Sequence, residues 1–458
     1  MRYYGAKYGQ SVLHGKYEVK EIKKLFTINN ISTKTVSVLL IHISNIAITF
    51  LFYIYLSRSM NSTDFGNYYF IITMVSTLVI FSKYGFDLLL IRFIPKYLAN
   101  SDLNELKGIL IHTNIKSIKN SIFIMVIFAL FIFLLDQINP IENTSFYFLG
   151  ILLLPILTFL QINQAKLNGF GKITYSQLPE RIILPISIIV FVFFFTEVFD
   201  YELMTKNILY IHLLALVITF LVSKLFLSPI LRKLKKISAS DFQINNWKSI
   251  TLQLIIIATG TMILTNIDVL MIGLILDKEL SGIYGIATRI SVIIAFGLFA
   301  INTVIAPKIS RLFTENKIKD LKVLLFRTSR FNLFISTLFL SIIILFHNEL
   351  LNIFGIEYIS GGVALIILCI GQFINVTTGS VGVLMTMTGL ESIAAKIILF
   401  SVLLNVILNL ILILYLGING AAIATAITIA CSNIMMLYFT YKETGINPSP
   451  IRLIKWKI

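Results

Sequence analysis

Charge and cysteine are what this chain has least of. Only 13% of its 458 residues are charged, about half the share that keeps an ordinary soluble domain in solution. A large water-soluble enzyme is therefore excluded at the outset. Its two cysteines, Cys369 and Cys431, both lie inside apolar runs, which excludes a disulfide framework and leaves them as small packing residues. Histidine is also too sparse for a metal cluster. No Gly-rich loop ending in Lys-Ser/Thr occurs, so the chain offers no phosphate cradle for ATP. The first ~30 residues are polar and basic with no apolar core, so they read as a cytosolic tail and not as a cleavable signal peptide. Acidic residues are scarce as well, 22 against 38 Lys and Arg, for a net charge of +16. That surplus does not point to nucleic acid, because the basic residues lie between apolar blocks and no nucleic-acid fold signature accompanies them.

What the chain has in abundance is apolar sequence, 57% of the residues at a mean hydropathy of +0.89. It comes in blocks of about 20 residues, each long enough to cross a ~30 Å hydrocarbon core as a helix. The blocks fall at 35–57, 66–91, 119–136, 145–166, 176–197, 206–228, 249–276, 281–306, 331–353, 359–387, 394–416 and 419–441. The fold class is therefore an all-α polytopic membrane protein with about twelve transmembrane helices. Of the 38 basic residues, 33 lie in one alternate set of loops and tails, and only Arg58, Lys206 and Lys278 lie in the other. By the positive-inside rule the richer set, with both termini, is cytoplasmic. The outer loops are short and acidic and hold no room for a catalytic domain, so no enzyme activity is expected.

The natural break is the basic, polar stretch around LRKLKKISASDFQ. It divides the chain into a tail (1–34), a first lobe (35–228), a linker (229–248), a second lobe (249–441) and a basic C-terminal tail (442–458). The lobes echo one another. STDFGNYYFI is answered by DKELSGIYGIATRI, with Gly66 and Tyr68 matching Gly282 and Tyr284 at one offset, and Pro95-Lys96 is answered by Pro307-Lys308. Gly169 likewise matches Gly389. Each lobe has six helices and so starts on the same side, which makes the repeat parallel. In the closing pair, Asn405 and Asn409 share a helix face. Gly417 to Gly420 is expected to form a tight turn, and the alanines after it permit close helix packing.

With IDVLMIG, GIYGIATRI, APKISRLF and NVILN…GINGAAIATA in this order, the chain resembles the polysaccharide-export branch of the MOP flippase superfamily, the Wzx-type O-antigen and capsule flippases. FGNYYF and RFIPKYL in the first lobe fit the same pattern. The resemblance runs from about 35 to 441. It implies a MATE-like V of two six-helix lobes around a central cavity, in the bacterial inner membrane. It also implies alternating-access transfer of an undecaprenyl-pyrophosphate-linked oligosaccharide to the periplasmic leaflet. Membrane lipids, a polysaccharide polymerase and a chain-length regulator would be the partners. No cofactor is expected beyond Na+ or H+ as a coupling ion. A cation-coupled MATE-type drug antiporter is the alternative on the same fold.

Charges inside membrane helices are costly and are candidates for function. Four lie deep: Lys83, Asp87, Asp268 and Arg289. Arg289 lies ~13 Å below the outer surface at 1.5 Å per residue, and Asp268 in the preceding helix is at nearly the same depth. Arg289 suits phosphate, with Asp268 as counter-charge or coupling-ion ligand; equally, the two form a structural salt bridge. Lys83 and Asp87, four apart on the second helix, form either an intrahelical ion pair or, with Arg92, a cationic cavity entrance. Arg181, beside Glu180, is a further cavity candidate. Lys224, Lys396 and Arg330 read as interface anchors. His42 and His212 read as packed against backbone carbonyls. Pro155 and Pro185 are expected to kink their helices. Asn45, Asn266, Gln372 and Asn375 are polar groups available to sugars or to neighbouring helices.

Overall fold

The computed structural model describes residues 31–138, 140, 143–234 and 248–450, and every regular element among them is helical. The first 30 residues, most of the expected linker and the last eight residues lie outside that range, as does the side chain of His42. The first half contains α1 (Ile31–Ser59), α2 (Ser62–Lys83), α3 (Phe86–Asn100) and α4 (Leu103–Ile138). It continues with α5 (Thr144–Gly169), α6 (Ile173–Val198) and α7 (Thr205–Leu234). The second half contains α8 (Lys248–Ile275), α9 (Lys278–Thr314), α10 (Ile318–Leu345), α11 (Ile356–Thr377), α12 (Val381–Met387) and α13 (Glu391–Thr444). Nine of these helices are long and apolar enough to cross a membrane by length and composition alone. Helix α13 contains two crossings that meet at Gly417, and α1 and α8 supply the remaining ones, so twelve passes are present among the described residues. Ranks of large apolar side chains face outward, as on α4 (Phe123, Phe131 and Phe133). Such a surface suits lipid as solvent.

Three expectations about helix boundaries are corrected. The apolar block 66–91 is not one helix: Tyr84 and Gly85 adopt left-handed conformations between α2 and α3. Block 359–387 breaks likewise at Thr378–Ser380, where Gly379 has φ 71°. The turn at 417–420 narrows to Gly417 alone, with φ 58° and ψ −139°. Few residues except glycine reach that region without strain. The expected kinks at Pro155 and Pro185 are displaced toward neighbouring breaks. Pro155 sits just after a break in helical bonding at Leu152, and Pro185 follows a π-helical turn, Pro179–Ile183.

The halves meet at the end of the molecule that carries the acidic loops. Asn61 caps α2 by accepting from the Asp64 amide at 2.7 Å, and Asp277 caps α9 from the Leu280 amide at 2.7 Å. The two helices then cross at the matched glycines. A Cβ on Gly66 would lie 2.3 Å from the Lys278 carbonyl, and one on Gly282 would lie 2.9 Å from the Gly66 Cα. Repeat-equivalent residues touching one another place this crossing on the pseudo-two-fold axis. Tyr69 and Phe70 fill the space left open at Gly285 and Gly273. Polar contacts surround the crossing. Ser62 and Thr63 donate to the two carboxylate oxygens of Glu279 at 2.7 and 3.1 Å, and Arg58 donates to the carbonyls of Asn352 and Ile353.

The largest buried apolar cluster spans both halves here, from Leu56 and Phe65 to Ile283 and Tyr358. At the opposite, basic end the halves have separate small cores, around Leu106 and Leu167 in one and around Ile309 and Leu325 in the other. The lobes are therefore joined at the acidic end and spread at the basic end, as a V.

Candidate functional site

Between the arms of the V lie three connected cavities, and Arg289 lines all of them. The cavity in the first half has a volume of about 590 Å³ and runs from Tyr68 past Lys83 and Asp87 to Asn168 near the basic end. The cavity in the second half, about 510 Å³, is walled by Asp268, Gln372, Asn375 and Asn405. A third, about 580 Å³, opens between α1 and α9, where Phe50, Phe296 and Phe299 make it largely apolar.

Arg289 is positioned by an interruption in α9. A 3₁₀ turn at Val292–Ala295 follows it by one turn, and its guanidinium sits 5.2 Å over the ring of Tyr53 on α1. The Tyr53 hydroxyl is 3.4 Å from one of its nitrogens. An arginine over an aromatic face is held without being neutralised. No ion pair between Arg289 and a carboxylate occurs among the described residues. The salt bridge between Arg289 and Asp268, one of the two readings of the pair, does not form.

Asp268 is turned away into a net of neutral donors. It accepts from the Tyr284 hydroxyl at 2.9 Å, from the Asn409 amide at 2.7 Å and from the Thr425 hydroxyl. Asn409 also donates to Asn405 at 3.0 Å, so α8, α9 and both halves of α13 converge on one carboxylate, which is only 5% exposed. The set contains oxygen donors of one acid, amides and hydroxyls, which suits a hard monovalent cation or a proton. Among the described residues no group of three or more His, Cys, Asp or Glu could hold a metal ion.

The first half contains the other charged candidates. Lys83 and Asp87 form an ion pair of 2.8 Å across the break between α2 and α3, not along one continuous helix as expected. On α6 the π-helical turn at Pro179 carries Glu180 and Arg181 into the wall. A proline cannot donate to the helical ladder, and π-turns of this kind redirect side chains. Gln161 donates to Glu180 at 2.9 Å, and Asn45 donates to the Arg181 carbonyl at 2.9 Å. One cavity thus gathers Lys83, Asp87, Glu180, Arg181 and Arg289, three cations against two carboxylates. Arg92 is exposed and lies outside the lining residues of all three cavities. His212 does not pack on a backbone carbonyl; its Nδ1 lies 2.9 Å from the Tyr68 hydroxyl. Tyr68 and Tyr284 are repeat equivalents, and each binds a titratable group of its own lobe. Sequence reasoning missed that relation although the match of the two tyrosines carried the signal.

Two splayed helical lobes around a membrane-embedded cavity define a multi-pass membrane transporter of the MOP superfamily. The chain belongs to the polysaccharide biosynthesis protein family, whose model matches residues 31–313; a MatE family model matches residues 250–411. It is 25% identical over 417 residues to an uncharacterized membrane protein of Methanocaldococcus jannaschii, covering 86% of this chain and 81% of the relative. Among solved structures it is similar to an inward-facing multidrug resistance MATE family transporter of the MOP superfamily (TM-score 0.64, 14% identity, 93% of this chain and 98% of the other). It is also similar to a MATE transporter in complex with MaL6 (0.64, 13%, 90% and 95%). A third is a MOP superfamily transporter from Pyrococcus furiosus, described as having a binding pocket of reversed polarity (0.63, 13%, 90% and 95%). At such identities the likeness concerns the fold. The inward-facing structure and the Pyrococcus furiosus one are described as transporters.

Proposed function

We propose that the protein is a flippase carrying an undecaprenyl-pyrophosphate-linked oligosaccharide from the cytoplasmic to the periplasmic leaflet of the bacterial inner membrane. Arg289 carries this reading. It is a deep cation, oriented by Tyr53 and matched by no carboxylate among the described residues, at the meeting point of all three cavities. Arg181 and Lys83 line the same polar space, so a diphosphate entering from the basic end would meet three cations. The apolar opening between α1 and α9 would let the prenyl chain remain in lipid while its headgroup occupies the cavity. Membership of the polysaccharide biosynthesis family supports a lipid-linked sugar as cargo. In this reading Asp268 binds the coupling Na+ or H+, and the basic loops face the cytoplasm.

The test is Arg289→Ala in a strain lacking its own flippase. Surface polysaccharide should be abolished at normal protein level, with partial rescue by Arg289→Lys, which keeps charge but loses bidentate contact. Normal polysaccharide in the alanine variant would remove the anion-binding role. For orientation, a cysteine at 278 should react with an impermeant maleimide from outside and one at 172 only from inside. Asp268 and the MatE match favour one second reading, a cation-coupled drug antiporter. It would retain resistance to cationic drugs in the Arg289→Ala variant and lose it in Asp268→Asn.

A further inference from the structure

The second lobe has one apolar core toward the acidic end and another toward the basic end, and its helices are interrupted between them. Along α9 the buried members of the first core stop at Ile294, and those of the second begin at Ile305. Along α11 and α12 they stop at Cys369 and begin again at Leu384. The 3₁₀ turn Val292–Ala295 lies at the edge of the first gap, and the break at Thr378–Ser380 lies within the second. A cluster of three side chains joins the two places, with Ala295 and Leu298 of α9 against Val376 of α11. Two interruptions that meet at one level have the form of a hinge, since the residues there can absorb a backbone change that packed helix cannot.

Helix α10 runs past this level without a break and turns three fully buried polar side chains toward it: Ser329, Asn332 and Ser336. Their spacing puts them on one face. The outer two are satisfied. Ser329 donates to the Pro448 carbonyl at 2.6 Å on the basic side, and Ser336 donates to the Ile294 carbonyl of the 3₁₀ turn at 2.7 Å. A side chain inserted at a helix carbonyl holds a bend, so Ser336 holds α9 as it stands here. Asn332 is the exception, because neither its Oδ1 nor its Nδ2 has a partner. It is closed off and lines none of the three cavities, so no cargo can serve it. An orphaned buried amide costs more than a made bond contributes, and such groups normally find partners. Its oxygen faces Gly297, where a Cβ would lie 3.1 Å away, two residues past the turn. That stretch of α9 changes its position against α10 only if the basic-end arm moves.

We propose that the interruptions in α9 and α11 form a hinge about which the basic-end arm of the second lobe swings as a unit, and that Asn332 finds its partners on α9 only when the arm is swung in. Ser336 then favours the spread form and Asn332 opposes it. Arg289 lies three residues before the turn, on the acidic side of the hinge, so the arm can shut the cavity while Arg289 keeps its seat over Tyr53. The device serves either cargo.

The test is a spin-label distance within the second lobe, in full-length protein in nanodiscs with Cys369 and Cys431 replaced. Thr314, at the basic end of α9, and Glu349, beyond the acidic end of α10, are exposed and lie on opposite sides of the hinge. Lobes that rock as rigid bodies leave this distance single and fixed, whereas the hinge gives two. Asn332→Leu removes the orphaned amide and keeps its bulk, so it should enrich the distance of the spread form at least about fivefold, the factor set by one hydrogen bond. Ser336→Ala removes the bond that holds the bend and should enrich the other distance by a similar factor. One unchanging distance in the wild type and both variants would overturn the hinge. A ratio that either variant leaves unaltered, or moves the opposite way, would overturn the role of the α10 side chains. So would a lower melting temperature in Asn332→Leu without a shift in distance, the mark of an amide satisfied by buried water. Should Asn332→Leu fail to insert, Ser336→Ala decides alone.

Discussion

Replacing Asp268 with alanine is expected to destabilise the second lobe more than removal of any other cavity charge, and Asp268→Asn should separate its two roles. The alanine variant leaves the hydroxyls of Tyr284 and Thr425 and the amide of Asn409 without their acceptor, all in a buried site. Each orphaned buried group costs roughly 1–3 kcal/mol, so a loss of at least ~3 kcal/mol follows from the three together. The helices they tie, α8, α9 and α13, should loosen as a unit. Asparagine keeps one acceptor oxygen and the shape, so Asp268→Asn should insert and melt close to the wild type. Its difference lies in ion dependence. The side chains that bind Asp268 are all neutral, and a buried carboxylate among neutral donors needs a proton or a small cation. If Na+ occupies the site at 100 times its dissociation constant, it stabilises the fold by ~2.7 kcal/mol. The wild type should therefore melt higher in Na+ than in a bulky cation at equal ionic strength, and Asp268→Asn should show no such difference while failing to transport. Should Na+ have no effect on the wild type but acid pH raise its melting temperature, with that rise absent in Asp268→Asn, the coupling ion is H+. An Asp268→Asn variant that still transports normally would leave the residue a purely structural role.

Much of this architecture can be read from the chain because the bilayer sets the length of each apolar block, and the charge asymmetry of the loops fixes their alternation. Breaks inside an apolar block are harder to see. Hydrophobicity runs straight through Tyr84–Gly85 and Thr378–Ser380, and a lone glycine in such a run is as often a packing site as a break. The matched glycines 66 and 282 are visible as a repeat, but nothing in one dimension says that the equivalents touch.

Depth alone is also a poor guide to pairing. Counting residues puts Asp268 and Arg289 at one depth, yet Asp268 binds Tyr284, and Arg289 is five residues further on, about 140° around the helix at 3.6 residues per turn. The remaining Asp268 ligands arrive from 141 and 157 residues away. Asn405 and Asn409 are recognisable as a shared face; Thr425 is not, because threonine in a membrane helix usually bonds its own backbone.

Gly66→Val is expected to disable the transporter by preventing closure at the acidic end. Several glycines among the described residues face side-chain atoms, which can move aside more readily than backbone. Gly66 faces backbone: a Cβ there would meet the Lys278 carbonyl oxygen at 2.3 Å and the Glu279 Cα at 2.6 Å. Relief requires α2 and α9 to separate, and that separation breaks the bonds from Ser62 and Thr63 to Glu279. Overpacking of this kind costs about 1–3 kcal/mol or more, and it falls wholly on the state closed at this end. A state with α2 and α9 apart does not suffer the clash, so the population should shift toward it. With native Cys369 and Cys431 replaced, a cysteine substituted for Phe65, which is fully buried here, reports the shift. It should be inert to an impermeant maleimide in the otherwise unchanged protein and reactive from the acidic side in the Gly66→Val background. Transport should fall by at least about tenfold, the factor that ~1.4 kcal/mol sets, because the closed state needed to reload from the basic end is no longer favoured. Gly382→Ala is the matched control, since its nearest neighbour is the Met436 sulfur at 3.8 Å; it should change neither melting nor transport. If Gly66→Val left the introduced thiol protected and transport intact, the crossing of α2 and α9 would not be what seals this end.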